Sequence, residues 1–132
     1  PAARSATILA RMVAVFLIAF AGVSQAAEPF SLKTPTGAMV EFPGKSQAPV
    51  TVLLFWATWC PYCKALMPHL QSVLYEHGDD VQLYAISIAD DGDPAAFLAD
   101  LGYDWTLLLN GDAVASRYGV RGTPGLFVVD RS

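Results

Sequence analysis

Cys60 and Cys63 are the only thiols in the chain, and Pro61 and Tyr62 are all that separates them. On a helix, residues three apart share one face, at a separation that a disulfide can bridge. Pro61 suits a first helical turn, where a missing N–H costs nothing, so Cys60 falls at a helix N-terminus. There, free N–H groups and the positive end of the helix dipole favour negative charge. Its thiolate should form more readily than that of an unperturbed cysteine, whose pKa is about 8.5. Cys63 lies one turn further in and faces the interior, where desolvation disfavours the charged form. The expected roles are an attacking thiolate at Cys60 and a resolving thiol at Cys63, exchanging disulfides through a mixed-disulfide intermediate.

Two blander readings compete. An inert staple is weak, because closing so short a loop restrains the unfolded chain little. A zinc site would draw on Cys60, Cys63, His69 and His77. The later ligands of such a site are usually close together, whereas these histidines stand eight residues apart on one helix. No metal is expected, and both histidines read as surface or interface residues.

The elements that must hold this pair follow from periodicity. Val50 to Ala57 is a near-continuous β-branched and aromatic run, the pattern of a strand buried on both faces. The helix opened by Pro61 carries Leu66, Leu70, Val73, Leu74 and His77 at three-and-four spacing, and Gly78 can close it in a left-handed conformation. Pro68 lies inside it and should kink it. Upstream, Phe30 to Leu32 and Ala38 to Phe42 flank the turn signature Thr34-Pro35-Thr36-Gly37 and predict a hairpin. Downstream, Val81 to Ile88 predicts a second buried strand, and Asp93-Pro94 the cap and first turn of a helix ended by Gly102. Trp105 to Leu109 is a short extended run, Asp112 to Tyr118 a short helix ended by Gly119, and Leu126 to Val129 a further core strand. Strands alternating with helices make the class α/β, with helices covering a central sheet.

Composition narrows the partners. The 132 residues suit one domain, and 54% hydrophobic with 15% charged content excludes a disordered polymer. There are 8 Lys and Arg against 12 Asp and Glu, and Arg4 and Arg11 precede Ala27, so the net charge of −4 falls to −6 beyond it. Nucleic acid is excluded, since it needs clustered positive charge. Those arginines lead into twelve apolar residues, Met12 to Val23, followed by Ser24-Gln25-Ala26. A positive, then apolar, then small-residue order is that of a secretory signal. As a helix the run would be about 18 Å long, short of the ~30 Å hydrocarbon core. Residues 1–26 are therefore expected to be a signal peptide cut after Ala26, with a retained membrane anchor as the alternative, and 27–132 the working domain. The expected location is periplasmic or otherwise extracytoplasmic, where thiols meet oxidising conditions. The sequence stops at Asp130-Arg131-Ser132, straight after a predicted strand, so a further strand and helix are expected beyond it.

Phe55-Trp56-Ala57-Thr58-Trp59-Cys60-Pro61-Tyr62-Cys63-Lys64, with Pro68, Tyr118-Gly119-Val120 and Gly122-Thr123-Pro124, resembles the thioredoxin superfamily. Within it, the exported TlpA/ResA-type thiol-disulfide oxidoreductases fit best. The resemblance spans Phe30 to Asp130 and implies a thioredoxin-like fold: a central mixed sheet flanked by helices, with an N-terminal β-hairpin. It also implies a reductase of protein disulfides, kept reduced by a membrane thiol donor. The redox-active Cys60–Cys63 disulfide would stand in place of any cofactor, and the chain is expected to be a monomer. In the family, the proline matching Pro124 follows a cis bond, which would turn the Thr123 backbone toward an extended substrate segment. Trp59, Pro61, Tyr62, Thr123 and Pro124 are the candidate substrate-binding residues, Trp59 as an apolar collar beside Cys60, while Phe55 and Trp56 read as core. Two carboxylates found elsewhere in the superfamily are replaced here by Leu54 and Leu66, so no proton acceptor for Cys63 is assigned. A disulfide oxidase or isomerase is the alternative within the class, and a non-catalytic polypeptide-binding module the alternative outside it.

Overall fold

The structure, a computed structural model, describes residues 26–131. The segment read as a signal peptide lies, apart from Ala26, outside the described residues. The spine is strand β3 (Val50–Trp56), whose residues Leu53, Leu54, Phe55 and Trp56 are all fully buried. It pairs in parallel with β4 (Val81–Ser87) and antiparallel with β6 (Gly125–Asp130), while β4 pairs in parallel with β5 (Thr106–Leu108). The sheet order is β5-β4-β3-β6. Parallel neighbours cannot be joined by a tight turn, so helices make the crossings. Helix α1 (Pro61–His77) and a 3-10 turn at Gly78–Asp80 link β3 to β4, and α2 (Pro94–Asp100) links β4 to β5. Helix α3 (Asp112–Arg117) then leads to β6. The hairpin of β1 (Phe30–Lys33) and β2 (Met39–Phe42) pairs Phe30 with Phe42, and its Lys33 bridges to Leu109 just past β5.

Because successive strand residues face opposite ways, β3 divides the core in two. Val52, Leu54 and Trp56 pack with Cys60, Cys63, Met67 and Leu70 on one side. Leu53 and Phe55 pack with Phe30 and Phe42 of the hairpin and Val114 of α3 on the other. The mixed sheet, its flanking helices and the hairpin are those expected from the sequence.

One detail differs. The buried face of α1 is Cys63, Met67 and Leu70, with Leu66 and Leu74 half-buried, whereas Val73 is 37% exposed and His77 is exposed. The helix is rotated so that Cys63, rather than a leucine stripe, enters the interior, and positions four and seven residues on follow it inward. Strand β6 is an edge strand among the described residues. Its Phe127 and Val129 join the hairpin-side core, while Leu126 and Val128 on the opposite face are exposed. Pro68 does sit inside α1, where its carbonyl accepts a hydrogen bond from Ser72 Oγ at 3.1 Å.

Asp93 caps α2 as expected, its Oδ1 accepting the Ala96 N–H at 3.0 Å. Asp93→Ala should lower stability by about 1 kcal/mol, seen as a lower urea midpoint with an unchanged slope. An unchanged midpoint would show the cap to be dispensable.

Candidate active site

The chain leaves β3 at Trp56 and reaches α1 through Ala57, Thr58, Trp59 and Cys60. Cys60 is the N-cap of α1, with φ −83° and ψ 111°. Its N–H donates to the Ala57 carbonyl at 3.2 Å, and its Sγ accepts the Cys63 N–H at 3.2 Å. The sulfur thus takes the place of the serine or aspartate oxygen that ordinarily satisfies a first-turn donor. Cys60 is 1% exposed and Cys63 is fully buried, and the two thiols are unbonded.

This geometry separates the two acidities. Burial pushes the Cys60 thiol up, but it is outweighed by hydrogen bonds from the Cys63 thiol, the Thr123 hydroxyl and the backbone N–H groups of Cys63 and Tyr62. The net direction is below the ordinary thiol value. Burial pushes Cys63 up to about 11, helped by the hydrogen bond and negative charge of Cys60 and only partly offset by Ala57 and Thr123. One bond therefore stabilises charge on the outer sulfur, and that charge in turn opposes ionisation of the inner one.

The structure brings the remaining candidates to the same end of the sheet. Gly125 pairs with Phe55, and extending that antiparallel register places Thr123 opposite Ala57, beside the cysteines. The Thr123–Pro124 peptide is cis. Trp59 is 56% exposed and Tyr62 75%, Pro61 is exposed, and Thr123 and Pro124 are half-buried. Trp59, Pro61 and Tyr62 adjoin the cysteines in the chain, while Phe55 and Trp56 lie fully buried in the core. His69 and His77 are exposed on α1, and among the described residues no three His, Cys, Asp or Glu side chains converge as a metal site would require. A cavity of about 880 Å3 lies elsewhere, between the hairpin side, Tyr84, Arg117 and Val129, and neither cysteine lines it.

A clamp on the Cys60 loop escaped the sequence reading. Asp90 accepts the Thr58 N–H and Thr58 hydroxyl at 2.7 Å each and the Gly92 N–H at 3.0 Å. The indole N–H of Trp59 donates to the Ala89 carbonyl at 2.9 Å, and Ala89 N–H donates to Asp112 at 2.9 Å. Ala89 has φ +48°, a left-handed conformation disfavoured for a residue with a Cβ, and these two bonds hold it there. Gly92 is required by proximity: a Cβ there would meet the Thr58 hydroxyl at 2.6 Å. The only signal in the sequence was the acidic run Asp90-Asp91-Gly92-Asp93, which looks like any solvated loop.

Burial raises the Asp90 carboxyl, but the bonds from Thr58 and Gly92 outweigh it and hold it below the usual carboxylate range. A depressed folded value contributes stability that is present above the unfolded value and lost as pH falls through the folded one. Asp90→Asn should therefore cost about 1–2 kcal/mol at neutral pH, and the gap from wild type should close below about pH 4. Urea midpoints measured across that range check it, and a gap independent of pH would refute the role of the charge.

With this geometry in place, comparison with known proteins is informative. Residues 23–132 match the AhpC/TSA family. The chain is 35% identical over 79 residues to sporulation thiol-disulfide oxidoreductase A of Bacillus subtilis, covering 54% of this chain and 47% of that protein. It is 33% identical over 97 residues to the soluble secreted antigen MPT53 of Mycobacterium tuberculosis, covering 72% and 55%. The chain thus spans about half the length of these curated relatives. Among solved structures, one described as a thiol:disulfide interchange protein DsbE from Chlorobium tepidum superposes with a TM-score of 0.69 at 30% identity, covering 80% of this chain and 75% of that one.

Proposed function

The chain belongs to the AhpC/TSA family, and from that premise we propose that it is an extracytoplasmic thiol-disulfide oxidoreductase that reduces protein disulfides. The observation that carries this reading is the placement of one adjacent pair: Cys60 Sγ caps the start of α1 and accepts the Cys63 N–H at 3.2 Å, while Cys63 is fully buried one turn on. A thiolate is the attacking species in disulfide exchange, and of the two sulfurs Cys60 is the one held toward that form.

In the forward cycle the Cys60 thiolate attacks one sulfur of a substrate disulfide, and the other substrate sulfur leaves with the electron pair. Cys63 then attacks Cys60 Sγ, which forms the Cys60–Cys63 disulfide and releases the second substrate sulfur as a thiol. Two electrons have passed to the substrate, so a membrane thiol donor must return the pair to the dithiol. Trp59, Pro61, Tyr62, Thr123 and Pro124 offer apolar surface and free backbone for an extended substrate segment. The reductase direction is supported by the TlpA/ResA resemblance. The extracytoplasmic location is supported by the signal-like order of residues 1–26 and by a secreted relative. Among the described residues no helix is long and apolar enough to cross a membrane.

The test is reduction of insulin with dithiothreitol as electron source. Wild type should accelerate it, Cys60→Ser should abolish the acceleration, and Cys63→Ser should accumulate mixed disulfides with substrate proteins. Near pH 7, iodoacetamide should modify Cys60 faster than a model thiol and leave Cys63 untouched. Equal reactivity of the two thiols, or an inactive wild type, would overturn the proposal.

A further inference from the structure

Trp59 adjoins Cys60 in the chain and is 56% exposed, yet its ring is tied. Its one polar atom, the indole N–H, donates to the Ala89 carbonyl at 2.9 Å. That acceptor is aimed by unusual backbone, since Ala89 has φ +48°, a region that residues with a Cβ rarely hold. The bond on its other side comes from Asp112, the first residue of α3, whose Oδ1 accepts the Ala89 N–H at 2.9 Å. Gly111 brings that carboxylate within reach. Its N–H donates to the carbonyl of Ser87, the last residue of β4, at 2.9 Å, and a Cβ there would run into Ile86 Cγ2. Two bonds in series thus join the start of α3 to the exposed ring next to the attacking sulfur. Asp90 stands outside this series, because its bonds go to the Thr58 N–H and hydroxyl and to the Gly92 N–H.

We propose that Asp112 is a positioning residue for substrate recognition: acting through Ala89, it holds the Trp59 ring in one orientation for a polypeptide to pack against. Without its acceptor the Ala89 N–H loses its partner, and the residue relaxes toward a right-handed or extended conformation. Its carbonyl then turns away from the indole, and the ring is free to change rotamer. That freedom must be given up when a polypeptide covers the ring, a cost that fixing the ring in advance removes. A small disulfide gains little from this, because it reaches Cys60 without covering the ring. Asp112 therefore sets the preference among substrates and leaves the chemistry to the sulfurs. The inference rests on the reading of Cys60 and Cys63 as a redox pair that acts on polypeptides.

The experiment mixes the reduced protein, as wild type, Asp112→Ala or Asp112→Asn, with insulin or with hydroxyethyl disulfide. Loss of the protein dithiol is followed by quenching in acid and counting thiols by mass after alkylation. Both variants remove the charge at the start of α3, but only alanine removes the acceptor, so their difference isolates the bond to Ala89. In Asp112→Ala the ratio of the insulin rate to the hydroxyethyl disulfide rate should fall about threefold to tenfold, and Asp112→Asn should keep the wild-type ratio. By NMR, the Trp59 indole proton, identified by its absence in Trp59→Phe, should exchange with solvent faster in Asp112→Ala than in wild type. An unchanged ratio, equal slowing with both disulfides, unchanged exchange, or an asparagine variant as impaired as alanine would overturn the proposal. If Asp112→Ala does not fold, judged by circular dichroism, Trp59→Phe, which removes the donor at the other end of the series, replaces it in the rate comparison. A wild type that neither disulfide oxidises would instead bring down the redox reading itself, a result distinct from a variant that matches an active wild type.

Discussion

The hydrogen bond from the Cys63 N–H to Cys60 Sγ is the constraint on which the site depends. A helix must satisfy its first-turn donors, and here a sulfur does so. The start of α1 is therefore fixed at the reacting atom, and the three-residue spacing carries Cys63 under the sheet end as a consequence of helical geometry. Rotation of α1 follows from the same bond: once Cys63 is inside, Met67 and Leu70 are inside with it. Fold and acidity are thus set by a single choice of where the helix begins.

A cap of this kind works only if the segment before it stays still. Ala57 to Cys60 has little secondary structure of its own, and its rigidity is borrowed from the loop after β4. Asp90 ties down Thr58, Ala89 ties down the Trp59 ring, and Asp112 of α3 ties down Ala89. The parallel β3–β4 pairing makes this possible, because it brings the ends of both strands, and hence both loops, to one edge of the sheet. Strained backbone at Ala89 is held by bonds on either side, the usual condition for such a conformation to persist.

The two-sided burial of β3, the hairpin, the cap at Asp93 and the inequality of the cysteines were legible because each follows from local rules of period, turn chemistry and helix ends. The Asp90 clamp was not legible, since its partners lie 32 residues away and an acidic loop residue carries no mark of its acceptor role. The Val73 position misled because a stripe of apolar spacing gives the helix face only to within a turn, and Cys63 and Met67 compete for the same burial.

The raised pKa of Cys63 serves the order of events. Its thiol is raised first by burial, which is constant, and then by the hydrogen bond and charge of Cys60, which are not. While Cys60 is a thiolate, a second thiolate beside it is disfavoured. Once Cys60 is joined to a substrate sulfur that charge is gone, and with it the electrostatic part of the barrier to ionising Cys63. Ionisation of Cys63 is thereby easier after capture than before it. Burial opposes ionisation at both stages, so the coupling between the two sulfurs, made close by the cap, is the part of the barrier that changes between them.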